Sequence, residues 1–196
     1  YDGITTAEIQ EILIKSASDL IDLEHPNYQF VAARLLLFSV RKSLYGRSRE
    51  LPELEDHIVK CVGQEVYDGD IYSKYSKEDI EKANGYIDHN RDFLFTYAGL
   101  RQVVDKYLVQ DRSTGQVYET PQFMYMMIAL TIFAEYPKET RLNYVRRYYD
   151  AISRHRINIP TPIMAGVRTP IRQFASCVLV DADDTLDSIF SSDMAI

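Results

Sequence analysis

The sequence predicts a mostly α-helical chain. Apolar residues recur at helical spacing through most of its 196 residues. Helix-start signals stand ahead of several of these runs: Thr5 with Glu8, Ser76 with Asp79, and the prolines Pro52 and Pro121. Strand character is confined to one small hairpin and to the run FASCVLVD near the end.

The first 46 residues read as two helices. Behind the Thr5–Glu8 capping box, Ile4, Ile9, Leu13, Ala17, Leu20 and Ile21 recur at helical spacing, and His25-Pro26-Asn27 breaks the pattern. The second helix, about Tyr28 to Tyr45, is so apolar (VAARLLLFSV) that burial on most sides is expected. Arg41 and Lys42 suit the negative end of its dipole, and Gly46 suits its cap. Beyond Arg47 the composition turns charged. Short helices are expected near Glu53–Val62, Ser76–Asp88 and Phe95–Lys106. Residues 107–118 read as a hairpin with Gly115 in its turn. Pro121 opens FMYMMIALTIFAEY, the most apolar helix, and an amphipathic helix runs from Glu139 to about His155. INIPTPIMAGVRTP, with three prolines and a glycine, reads as a loop or extended crossing. FASCVLVD reads as a buried strand, and a helix starts at Thr185.

Composition narrows the function classes. The net charge of −7 argues against a broad electrostatic grip on nucleic acid and against a basic membrane-surface patch. No run approaches the roughly 18 apolar residues of a membrane span; the helix after Pro121 is better read as core. No secretory signal is visible, and 2 cysteines without a disulfide framework fit a reducing compartment, so a cytoplasmic setting is expected. A start at Tyr1 and an end at Ile196 inside a helical pattern read as a fragment or one part of a split protein.

Familiar catalytic motifs are scarce. There is no GxxxxGK[ST], no GxGxxG after a strand and no CxxC; the 4 histidines lie far apart, so surface or structural roles are expected and no metal site. Asp181-x-Asp183-x-Thr185 after an apolar run resembles the first motif of haloacid-dehalogenase-type phosphatases, where two carboxylates reach one metal and one phosphoryl group. That family's core follows its motif, and only 11 residues follow Thr185. Acids ahead of a helix N-terminus account for much of the pattern. From local sequence alone, Cys177 in an apolar strand is ordinary packing, and Cys61 is a core helix residue.

PTPIMAGVRTPIRQFASC changes that reading, because it resembles the entry to the catalytic barrel in the large (α) subunit of class I ribonucleotide reductases. YDGITTAEIQEILIKSA, NYQFVAARLLLFSVRK, KYLVQDRSTGQVYETPQF and YPKETRLNYVRRYYDAIS resemble other segments of that subunit, in the same order. The resemblance covers essentially the whole chain, with a variable region from about Arg47 to Asn84.

The resemblance implies a fold in three parts: the second half of an ATP cone over residues 1–46, a helical N-terminal domain over 47–172, and the first strand of a ten-stranded α/β barrel over 173–196. It implies reduction of ribonucleoside diphosphates by thiyl-radical chemistry, for DNA synthesis. Cys177 takes the position of one member of the redox thiol pair, its partner lying outside this chain; nothing in the family puts a redox thiol where Cys61 stands. Thr161 and Ser176 match substrate-contacting positions. Asp184, Thr185 and Leu186 match the start of the specificity-effector site at the dimer interface. Thr6 and Lys42 match nucleotide-contacting positions of the ATP cone. Gln10 and Ser39 stand where dually regulated relatives carry nucleotide-contacting histidines, so weak or absent inhibition by dATP is expected.

The implied partners are a small (β) subunit carrying the metal-radical cofactor, further α subunits, thioredoxin or glutaredoxin as reductant, and ATP or deoxynucleotide effectors; no cofactor is expected to bind this chain directly. A piece of this size is expected to be inactive alone. The competing class is a helical regulatory or assembly module that uses Leu35–Val40 and Met124–Ile132 to bind a partner, without chemistry.

Overall fold

Thr5 opens the first helix as its capping box requires: its hydroxyl accepts from Glu8 N at 3.2 Å, and the Glu8 carboxylate accepts from Thr5 N at 2.7 Å. The computed structural model describes residues 3–46, 51–171 and 173–195. Helix α1 spans Thr6–Asp19 and α2 spans Tyr28–Tyr45. Gly46 ends α2 at φ +72°, its N–H donating to Lys42 O at 2.9 Å. The Gln10 side-chain amide donates to Leu35 O at 3.0 Å and ties the two into an antiparallel hairpin. The burial expected of α2 on most sides is corrected to one face. Ala32, Ala33, Leu36, Leu37 and Val40 are buried, while Val31 and Phe38 are 43% and 57% exposed, because only α1 and α6 cover it extensively. The domain boundary expected at residues 46–47 runs into positions 47–50, outside the described residues.

The middle of the chain is a run of short helices: α3 (Leu54–Gly63), α4 (Ile71–Lys74) and α5 (Lys77–Asn84), then a 3₁₀ turn over His89–Leu94 and α6 (Tyr97–Gln102), which passes into a π turn over Val103–Tyr107. Two of the expected helices are shorter than predicted. Gly85 closes α5 by donating to Glu81 O, and Thr96 caps α6 by accepting from Gly99 N at 3.3 Å. The expected hairpin is reduced to one antiparallel bridge, Gln110–Val117, closed by Asp111 N to Gln116 O at 2.9 Å with Gly115 at φ +72°.

Helix α7 (Pro121–Ile132) is the centre of the core. Every residue from Pro121 to Leu130 is buried, which a helix of 12 residues achieves by being wrapped on all sides. Helix α8 (Lys138–Ser153) contributes Val145, Tyr149 and Ile152 to that packing. A docking role for the α7 residues is thereby corrected: Met124 to Leu130 already contact this chain's own core.

Two expectations fail near the end. The proline-rich crossing contains a helix, α9 (Thr161–Gly166), because Pro160 and Pro162 fall at its N-cap and first turn, where a missing N–H costs nothing. The strand expected at FASCVLVD does not form. Among the described residues no strand lies beside it to complete a ladder, so 173–183 runs without regular structure, with Val178 75% and Leu179 96% exposed. Helix α10 (Leu186–Ala195) follows and buries none of its residues. Among the described residues no helix is long and apolar enough to cross a membrane.

Truncating Met126, fully buried in α7, to Ala is expected to cost about 2–5 kcal/mol of unfolding free energy. Phe38→Ala on the open face of α2 should cost well under half as much. Urea midpoints for the two variants check the ordering.

Candidate functional site

A buried ion pair organises the region that carries most of the candidate residues. Glu119 and Arg168 are both fully buried. The guanidinium meets the carboxylate along one edge, with Arg168 Nε 3.1 and 2.9 Å from Glu119 Oε1 and Oε2, and Nη2 also donating to Oε1. The remaining lone pairs are filled as well: Val109 N donates to Oε1 at 2.6 Å and the Tyr67 hydroxyl donates to Oε2. Since the phenol proton goes to Glu119, His57 Nε2, 3.0 Å from Tyr67 Oη, is the donor of its own contact.

Burial sets the chemistry of this cluster. It lowers the imidazole of His57 to about 4 and keeps it neutral, stacked on Phe123 with ring centroids 4.1 Å apart. It pushes the Cys61 thiol up to about 12, with the Glu119 charge acting the same way. The Cys61 sulfur sits 3.7 Å from Tyr118 O, buried and protonated. Cys61 is a buried core residue of α3, as the sequence reading has it.

Arg168 also sets the geometry of Thr161. Its Nη2 donates to Tyr107 O at 2.9 Å and its Nη1 to Met164 O at 2.6 Å, so one guanidinium holds both the π turn and α9. Thr161, the first residue of α9, is half-buried with its Oγ1 3.3 Å from Tyr107 Oη.

The other candidates lie on open surface. Cys177 is exposed, which overturns its reading as strand packing, and Ser176 Oγ donates toward its sulfur at 3.8 Å. Asp184, Thr185 and Leu186 are exposed at the start of α10, where Thr185 Oγ1 caps the helix by accepting from Ser188 N at 3.2 Å. At the opposite end of the chain, the antiparallel register of α1 and α2 brings Thr6 and Lys42, both exposed, to the same end of the hairpin. Gln10 already spends its amide on Leu35 O, and Ser39 is half-buried. The structure thus places Thr6 and Lys42 toward one end of the hairpin, Ser176 against Cys177, and Asp184 with Thr185 and Leu186 at one helix start, while Thr161 is tied to Tyr107.

Arg41, read from the sequence as a dipole partner, is instead a cross-link. Its Nη2 donates to Asp92 Oδ2 at 2.8 Å and to His89 O at 2.9 Å, joining α2 to the 3₁₀ turn. Gln122 donates to Asp92 Oδ1 at 2.9 Å and accepts from Tyr149 Oη at 2.7 Å. Burial raises the Asp92 carboxyl, opposed by these two donors, and lowers His89 to about 4.

Sequence reasoning missed Glu119, Arg168, Tyr67 and Tyr107. The available signal was weak: a lone Glu in VYET, just ahead of the most apolar helix, and a lone Arg between two apolar runs. Charges in such settings are buried only when paired.

Comparison with known proteins adds to this geometry. The family model for the ribonucleotide reductase all-alpha domain matches residues 93–172, the stretch that contains Tyr107, Glu119, Thr161 and Arg168. Over 196 residues the chain is 51% identical to the ribonucleoside-diphosphate reductase subunit alpha of Haemophilus influenzae and 50% identical to ribonucleoside-diphosphate reductase 1 subunit alpha of Escherichia coli. Along its whole length the chain is similar to ribonucleoside-diphosphate reductase alpha subunits. The subunit alpha of Enterobacteria phage T4 is 49% identical over 195 residues. All of this chain is matched in each comparison, and it spans 26% of the length of each of these relatives.

Two outcomes are expected of this buried network. Glu119→Gln leaves the Arg168 charge buried without its counter-ion and should cost about 3–5 kcal/mol, read from denaturant unfolding. His57 and His89 are held neutral in the folded chain down to about pH 4. Unfolded, each binds a proton near pH 6.5. Between those values the unfolded state carries more protons, so unfolding free energy falls as pH drops through the window, by up to about 1.4 kcal/mol per unit for each histidine. Nitrogen-15 NMR of the two rings should show both neutral at pH 5.

Proposed function

We propose that this chain is part of the large subunit of a class I ribonucleoside-diphosphate reductase, which makes 2′-deoxyribonucleotides for DNA synthesis. The observation that carries the reading is identity of about half the residues, along the whole chain, to subunits bearing that name. The exposed sulfur of Cys177 supports it, because a redox thiol has to be reachable by a second sulfur and then by an external reductant.

The reaction balances with two thiols. A thiyl radical elsewhere in the subunit takes the C3′ hydrogen of the ribose and returns it at the end. Cys177 and its partner give up two protons and two electrons and close into a disulfide. The 2′-hydroxyl leaves as water, and hydrogen takes its place. Thioredoxin or glutaredoxin then reopens the disulfide. The metal-radical cofactor that starts the chemistry belongs to the small subunit.

The remaining candidates take binding roles. Thr161 and Ser176 contact the nucleotide substrate through hydroxyl or backbone N–H donors. Asp184 accepts from the hydroxyls of a specificity effector, beside Thr185 and Leu186, at an interface between large subunits. Residues 1–46 form half of an ATP cone, with Thr6 and Lys42 toward the nucleotide. Residues 47–172 form the helical domain, and FASCVLVD pairs as the first barrel strand once neighbouring strands are supplied. The setting is the cytoplasm.

Cys177→Ser in the full-length subunit, assayed with small subunit and thioredoxin, is expected to lower deoxynucleotide formation by at least about 10³-fold, since no second sulfur remains to carry the electrons. Turnover within tenfold of wild type would end the redox assignment. A dATP titration of the same intact enzyme is expected to show weak or no inhibition above the specificity range, because Gln10 and Ser39 replace the histidines that contact the nucleotide in dually regulated relatives.

A further inference from the structure

The contacts around Thr161 have a direction. Gln102 Nε2 lies 3.5 Å from Tyr107 Oη, and Tyr107 Oη lies 3.3 Å from Thr161 Oγ1. An amide nitrogen only donates. A phenol oxygen that receives the Gln102 proton has its own proton free for Thr161. When the phenol gives that proton to Thr161 Oγ1, the threonine's own hydroxyl proton is left for a third partner. In that arrangement the half-buried hydroxyl is a donor to whatever lies beyond Tyr107.

The framework under this relay is rigid. Arg168 holds Tyr107 O and Met164 O at once, so the π turn and α9 are fixed relative to each other. Leu108 N, donating to Val103 O at 2.9 Å, closes the π turn behind the phenol. A π turn presents its last side chain at an angle that a regular helix does not offer, and such turns are enriched at functional sites. The exposed Lys106 ammonium lies 5.5 Å from the centroid of the Tyr107 ring. A hydroxyl donor makes its strongest hydrogen bond to an ionised acceptor, such as a phosphate oxygen.

We infer that Tyr107 is a positioning residue for substrate binding: its phenol orients the Thr161 hydroxyl to donate to a phosphate oxygen of the ribonucleotide. The inference rests on the reading of Thr161 as a substrate contact. Tyr107 itself does not touch the reacting atoms. Its removal is therefore expected to weaken binding and spare the chemical step.

The test uses the full-length large subunit with its small subunit, thioredoxin and a ribonucleoside diphosphate. Tyr107→Phe keeps the ring and removes only the hydroxyl. It is expected to raise KM about 3- to 10-fold, the worth of one hydrogen bond, with kcat within about twofold. Gln102→Leu should shift KM in the same direction by less. Thr161→Ala should raise KM at least as much as Tyr107→Phe, and the double variant no further than Thr161→Ala alone, because the phenol acts through that hydroxyl. Tyr107→Phe with unchanged KM and kcat but a lowered Tm would make the phenol purely structural and overturn the proposal, as would a double variant whose KM multiplies the two single effects. If Thr161→Ala leaves KM at the wild-type value, the reading of Thr161 fails, and the role of Tyr107 with it.

Discussion

The buried pair of Glu119 and Arg168 is the constraint on which the rest of this region depends. Neither charge is exposed to solvent, so each must be answered inside the protein, and each is: the carboxylate by a backbone N–H, a phenol and the guanidinium, the guanidinium by the carboxylate and two carbonyls. Removing two ions from water is costly, and such a pair often contributes little net stability against an apolar substitute. What it supplies here is geometry. The pair reaches four segments at once: the guanidinium holds the π turn and α9, and the carboxylate holds the Val109 backbone and the turn carrying Tyr67. An apolar cluster of the same volume would bury similar area without specifying how α9 sits against Tyr107.

The second constraint is the length of α7. Ten consecutive buried residues in a helix of 12 leave no solvent-facing side. Everything around it has to supply a covering face, and the short helices between residues 54 and 107 do so without being long enough to fold alone. Polar residues within this shell are therefore networked. Gln122 on α7 bridges Asp92 and Tyr149, and through Asp92 the network reaches Arg41 on α2. The α1–α2 hairpin is thus tied to the helical core by a hydrogen-bonded charge as well as by the packing of α2 on α6.

Much of this was legible in the sequence where local signals decide the outcome. The caps at Thr5 and Ser76, the span Tyr28–Tyr45 and the burial of the helix after Pro121 follow from capping chemistry and hydrophobicity alone. Illegible features were those set by partners distant in sequence. Glu119 and Arg168 are 49 residues apart, and neither residue announces the other. The exposed faces of Val31 and Phe38 on α2 depend on which helices cover it. Pro160 and Pro162 were misread because proline breaks a helix interior but suits a helix start, and nothing local distinguishes the two positions. FASCVLVD has every local mark of a strand and lacks only the neighbours that would make it one.

That last failure bears on the chemistry. The two thiols of this chain have opposite surroundings: Cys61 is sealed in the core with its thiol pushed up to about 12, and Cys177 is exposed on a segment without regular structure. A sulfur in the first setting cannot ionise or be reached, whatever its neighbours; one in the second can meet another sulfur with little displacement of the folded body. A rigid centre holds Thr161 in register, and an unburied thiol follows it closely in sequence. Strand pairing around Cys177 would hold the backbone and leave alternate side chains pointing to either face. Pairing would therefore also bring Cys177 and Ala175 to one face and Ser176 to the other, so the hydroxyl and the sulfur that now touch across one peptide bond would separate.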